Sequence, residues 1–168
     1  MNNWFVYLSV FEELYDKVIE EIHNSNKLFE KPVGFLYSKG QAKRVNEGNY
    51  SQLDIYSSLV AQALTHEPDL EFIKELEQEY AITNISLAVF ADRHFGHNNN
   101  YTYKQKLALI ELTFKYAINL YATYGFKFAW FESIGGFASY IFYLVFKKKG
   151  VKICVIAFDQ FPGKIAIC

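Results

Sequence analysis

Between Phe128 and Phe146 nineteen residues carry a single charge, Glu132. A stretch that apolar must lie either inside a membrane or inside a core, because water penalises it everywhere else. A spanning helix needs about 20 apolar residues. Here Glu132, Ser133, Gly135 and Gly136 interrupt the run, and Lys147-Lys148-Lys149 close it. A buried strand, a tight turn and a helix fit these residues better than a span does. Phe126–Phe131 reads as the strand, Ser133–Gly136 as the turn and Phe137–Lys149 as the helix. The three lysines then sit at the negative end of the helix dipole, and Gly150 ends the helix. Val151–Phe158 follows as another apolar strand.

The same alternation runs back through the chain. Trp4–Leu8 is predicted as a strand. Ser9 and Glu12 have capping-box spacing, and Phe11, Leu14, Tyr15, Val18 and Ile22 recur with helical period until Asn24–Asn26. Pro32–Ser38 is a strand closed by Lys39-Gly40, and Gln41–Gln52 is a polar loop. Asp54–Leu64 fits a helix face through Ile55, Leu59 and Ala63, or a strand through Ile55-Tyr56. Glu67-Pro68 opens a helix with Leu70, Ile73, Leu76 and Tyr80 on one face. Ile82–Phe90 is read as a strand and 92–100 as a polar loop. Thr102 and Gln105 repeat the capping-box spacing before a long helix that Gly125 stops near Tyr124.

Strands that alternate with helices, the late ones continuously apolar, specify an α/β domain with a mainly parallel sheet and helices on both faces. The 168 residues suit one such domain, spanning 1–168. The formal net charge of −1 and the absence of a basic stripe exclude a nucleic-acid partner. Two cysteines, Cys154 and Cys168, make neither a disulfide framework nor a zinc pattern, so a reducing, cytoplasmic setting is expected. No basic leader precedes the apolar run at Trp4. Aromatic residues are 18% of the chain. Abundant Asn, Lys and Ile beside them point to lineage composition more than to a dedicated surface.

Ligands of open α/β sheets bind beyond the carboxyl ends of the strands. That rule selects Ser9, Asp92-Arg93-His94, Glu132-Ser133-Ile134-Gly135-Gly136 and Asp159-Gln160. Glu132 ends an apolar strand and two glycines open the next helix. The carboxylate could serve as a general base or bind a hydroxyl, with Ser133, Gly135 and Gly136 letting substrate approach. It could equally be a structural acceptor in a strand-to-helix turn. Asp92, Arg93 and His94 offer a base, an anion clamp and a proton donor, or a local ion pair that holds a loop. Asp159 is a further substrate contact if strand ends converge there, and otherwise a turn residue. His94 and His97 have H-x-x-H spacing that Asp92 could join, but the loop supplies mostly Asn around them, and no metal site is expected. Neither a dinucleotide fingerprint, a phosphate loop nor a nucleophile elbow is present.

From Leu70 onward the order of features resembles the N-terminal half of capsular and surface-polysaccharide biosynthesis proteins of the two-domain GT-B glycosyltransferase type. The matching stretches are Leu76-Glu77-Gln78-Glu79-Tyr80-Ala81-Ile82, Ala91-Asp92-Arg93-His94-Phe95, Phe128-Ala129-Trp130-Phe131-Glu132-Ser133 and Lys149-Gly150-Val151-Lys152. Ala81 stands where the family has glycine. The resemblance implies a Rossmann-like domain on the acceptor side of a cleft, with the chain continuing into a second domain that holds the nucleotide-sugar donor. It implies Glu132 or Asp92 as catalytic base, no cofactor in this half, and a carbohydrate acceptor as partner. Attachment to the inner face of the cell membrane and homodimerisation are further options. The competing reading is a stand-alone α/β domain that binds a small ligand or regulates, without catalysis.

Overall fold

The computed structural model describes residues 3–8, 12–25, 30–36, 38–87, 101–158 and 165–167, and for 12, 156–158 and 165–167 the backbone alone. Its centre is a six-stranded sheet: β1 (Trp4–Leu8), β2 (Val33–Leu36), β3 (Gln52–Ile55), β4 (Phe128–Phe131), β5 (Lys152–Phe158) and β6 (Ile165–Ile167). The strand order is β3-β2-β1-β4-β5-β6. The first five strands run parallel and β6 is antiparallel to β5. Helices α1 (Glu12–Ser25), α2 (Lys39–Ala42), α3 (Tyr56–Ala63), α4 (Leu70–Glu79), α5 (Tyr103–Tyr124) and α6 (Phe137–Lys148) flank it. This is the α/β, Rossmann-like sandwich expected from the alternation.

Strand pleat divides the core in two. Phe5, Tyr7, Phe35, Ala129 and Phe131 face α3, α4, α5 and α6, and Phe142 and Phe146 of α6 stack among them. Trp4, Val6, Leu8, Leu36 and Trp130 face the other way, against Tyr15 and Ile19 of α1 and against Val45 and Tyr50. Both faces of a parallel sheet need such cover. Asp16 fixes the second layer by accepting from the Asn46 amide at 3.0 Å and from Asn49 Nδ2 at 3.1 Å.

Gly34 shows how closely that layer is packed. A Cβ there would lie 2.5 Å from Tyr50 Cδ1 and 2.6 Å from Leu53 Cδ1. Tyr50 is 6% exposed and enclosed in the layer that holds Leu36, Val45 and Leu53. The ring therefore has little room to yield. Gly34→Val should cost about 1–3 kcal/mol through overpacking. A thermal midpoint unchanged from wild type would show that the Tyr50 ring gives way.

Several element boundaries differ from the sequence reading. Asp54–Leu64 is not one element but two: β3 runs directly into α3. The polar stretch 41–52 contains the end of α2 and a 3-10 turn at Glu47–Asn49. Glu67-Pro68 does not open α4. Asp69 caps it instead, with Oδ1 accepting from the Glu71 and Phe72 amides at 3.1 and 3.0 Å. Ile82–Phe90 is not a strand over its described part. Residues 82–84 are irregular with a bend at Thr83, Ile85 is in a turn, and Ser86 and Leu87 are helical. The nineteen-residue apolar run divides into β4, a turn and the twelve-residue α6. No helix among the described residues is long and apolar enough to cross a membrane.

Candidate functional site

In the order β3-β2-β1-β4-β5 the direction of winding reverses between β1 and β4, and crevices at such reversals are where α/β sheets bind ligands. Tyr7 of β1 lies opposite Phe131 of β4. Glu132 is the next residue, and its amide donates to the Tyr7 carbonyl at 3.0 Å, so the strand pairing itself carries the carboxylate to the crevice. Glu132 is 4% exposed.

Tyr15 of α1 reaches the same place. Its hydroxyl is pushed up to about 12, by burial first and by the negative charge of Glu132 second. The phenol therefore keeps its proton throughout the physiological range. Its oxygen has no hydrogen-bond partner among the described residues, nor does the indole nitrogen of Trp130, whose ring meets Tyr15 edge-on at 5.4 Å. A buried carboxylate thus stands beside two buried donors that lack partners. Buried polar groups in this state carry a desolvation cost that a hydroxyl-bearing ligand or water can relieve.

The Ser133–Gly136 turn is less open to ligand than its glycines suggest. Ser133 Oγ accepts from the Gly135 amide at 3.0 Å, and Ser139 Oγ accepts from the Gly136 amide at 3.2 Å. Gly136 has φ −94° and ψ 153°, ordinary extended backbone that any residue adopts. Both of these amides precede α6, which has no side-chain cap at Gly136. Ser133 is exposed at the crevice rim and Ser139 is buried beneath it.

Of the residues expected at the site, Glu132, Ser133, Gly135 and Gly136 fall together at the β4–α6 turn. Asp92, Arg93, His94 and Asp159 lie outside the described residues. Of the strand expected before Asp92, the described part, 82–87, is not strand. Among the described residues no group of three or more His, Cys, Asp or Glu is arranged to hold a metal. Tyr15 was legible only as part of a helix's apolar face, and no signal in the sequence separates it from Val18 or Ile22.

A second concavity lies on the α1 side, an apolar groove of about 660 Å³ bordered by Trp4, Val18, Ile22, Phe128, Trp130 and Cys154. Among the described residues the groove is bordered by α1, β1, β4 and β5, and α3–α6 pack on the opposite face. No family model, curated protein or solved structure matches the chain.

Proposed function

We propose that the chain is the acceptor-side domain of a glycosyltransferase of surface-polysaccharide synthesis, and that a sugar hydroxyl binds at the β1–β4 crevice. The observation that supports it most is the buried Glu132 carboxylate at the reversal of winding, beside the unpartnered Tyr15 hydroxyl. The resemblance at Phe128–Ser133 puts an acidic strand end at the same residue. Glu132 takes the proton of the acceptor hydroxyl as that oxygen bonds to the anomeric carbon, and the bond from that carbon to the nucleotide phosphate breaks. Tyr15 remains protonated and donates to the acceptor. On this reading the donor is held by a second domain, where the leaving phosphate is stabilised. Asp92 remains a second candidate base on sequence grounds alone.

The test is a gene replacement in the cell that makes the protein. Glu132→Gln keeps the shape and removes the base, and it should abolish surface polymer while protein level and melting temperature hold. Normal polymer with the variant would overturn the assignment of Glu132.

The alternative, a binding or regulatory domain without catalysis, rests on the same crevice. It is favoured if a hydroxylated ligand binds there and no sugar is transferred by the complete protein.

A further inference from the structure

Beside the edge strand β3, a cleft of about 340 Å³ opens between α3 and α5. It lies three strand spacings from β4, about 14 Å away, and on the sheet face opposite α1. Its size falls within the ~300–1,000 Å³ common for small-molecule sites. Leu59 of α3 and Leu112 of α5 supply apolar surface on its two sides, and Asp54, Ser58, Gln62 and Asn119 add polar groups.

Asp54 is the best-defined of these groups. Its Oδ2 accepts from the Tyr116 hydroxyl and from Gln52 Nε2, and the Gln52 carbonyl oxygen in turn accepts from the Tyr124 hydroxyl. Burial first, and then the bond to Asp54, raise the Tyr116 phenol far above its usual range, so it stays a donor. Two donors on one oxygen hold the carboxylate in place. Its other oxygen, Oδ1, has no partner among the described residues, and neither do the side chains of Ser58, Gln62 and Asn119. Lys115, also at the cleft, is committed elsewhere: Nζ donates to Glu111 Oε1 at 2.6 Å and lies 4.7 Å from the centre of the Phe72 ring.

We propose that this cleft binds one polyhydroxylated ring, a single monosaccharide unit, at a site separate from Glu132. A pyranose has an apolar face and a belt of hydroxyls that each donate and accept. Leu112, half-buried on α5, suits the face. Asp54 Oδ1 accepts from a ring hydroxyl, and the Gln62 and Asn119 amides can both donate and accept. An anion would meet Asp54 with no uncommitted cation among the described residues at the cleft to offset it. A lone amine would satisfy Asp54 and leave both amides idle.

The proposal is tested by titrating ¹⁵N-labelled full chain with the methyl glycosides of glucose, galactose and N-acetylglucosamine, and separately with inorganic phosphate and putrescine. At least one glycoside should shift the amides of Ser58, Gln62 and Asn119 saturably. Asp54→Asn, close in shape, should weaken that binding at least tenfold, and Gln62→Leu, on the exposed helix surface, should do so without touching the Gln52–Tyr116 network. Glu132→Gln should leave these shifts as they are. Glycosides that shift only residues around Glu132 would overturn this inference and leave the crevice reading standing. Shifts from phosphate or putrescine alone, or no shift at all, would overturn it as well.

Discussion

Phe142→Ala should be the most damaging single core substitution, costing about 3–5 kcal/mol. The residue is fully buried on α6. Its ring lies 5.1 Å from Phe5, 6.0 Å from Tyr7, 4.8 Å from Phe35, 5.9 Å from Tyr116 and 5.8 Å from Phe146. It therefore joins β1, β2, α5 and α6 in one contact set, and no single neighbour can move to fill the space it would leave. Domains of this kind have about 5–15 kcal/mol in total, so the variant keeps a thin margin or none. Urea unfolding measures it: with a slope of about 2 kcal/mol per M, the midpoint should fall by roughly 2 M. Phe142→Leu retains most of the volume and should lose only about 1 kcal/mol. Equal losses for the two variants would show that the site requires the aromatic ring itself and not merely the volume it fills.

That cluster explains why the architecture was legible in the sequence while some of its parts were not. Phe128–Phe146 announces itself because burial on both faces leaves no polar alternation to confuse the reading. Thr102 and Gln105 close their capping box as their spacing predicts, with the Gln105 amide donating to Thr102 Oγ1 at 3.2 Å and the Thr102 amide donating to Gln105 Oε1 at 2.9 Å. Gly125 adopts φ 58°, the left-handed conformation that stops helices. The failures occur where side chains compete for backbone donors. Ile82, Ile85 and Leu87 look like strand residues, yet Glu77 Oε1 accepts the Ile85 amide at 2.8 Å and Asn84 Oδ1 accepts the Ser86 amide at 3.0 Å. Those amides cannot also join a sheet. Ala81 adds a positive φ of 53° just before them. Tyr56 follows Ile55 with neither a glycine nor a side-chain cap between strand and helix, so nothing in the sequence marks that junction.

The candidate site was half legible for a related reason. A carboxylate at the end of an apolar strand is visible in one dimension, and Glu132 was found that way. Its companion Tyr15 is brought in by the packing of α1 on the opposite side of β1, a relation that helical period cannot express. The polar cleft at β3 was missed because Asp54 lies in a segment whose strand character was ambiguous, and because no spacing along α5 singles out Tyr116 or Tyr124.

Glu111 carries the second large effect. It is buried, 1% exposed, in the middle of α5, and its two carboxylate oxygens tie three elements together. Oε2 accepts the Asp69 amide at 2.7 Å, just where α4 begins. Oε1 accepts from Lys115 Nζ at 2.6 Å and lies 3.1 Å from His66 Nε2. Burial alone would raise this carboxyl, but Lys115, the Asp69 amide and His66 together hold it below its ordinary value near 4.5. Because the folded group titrates below its unfolded counterpart, its stabilisation is complete above the unfolded pKa and is lost as pH falls through the folded one. Glu111→Ala also strands the Asp69 amide, the donor that seats the α4 cap. Lys115 is 44% exposed and can turn to water, which limits the loss to about 3 kcal/mol. Denaturant titrations from pH 7 downward check both parts: the gap between wild type and variant should be widest near neutrality and narrow in acid to the part left by the lost acceptor of the Asp69 amide. A gap that holds constant into acid would assign the loss to packing and remove the charge from the account.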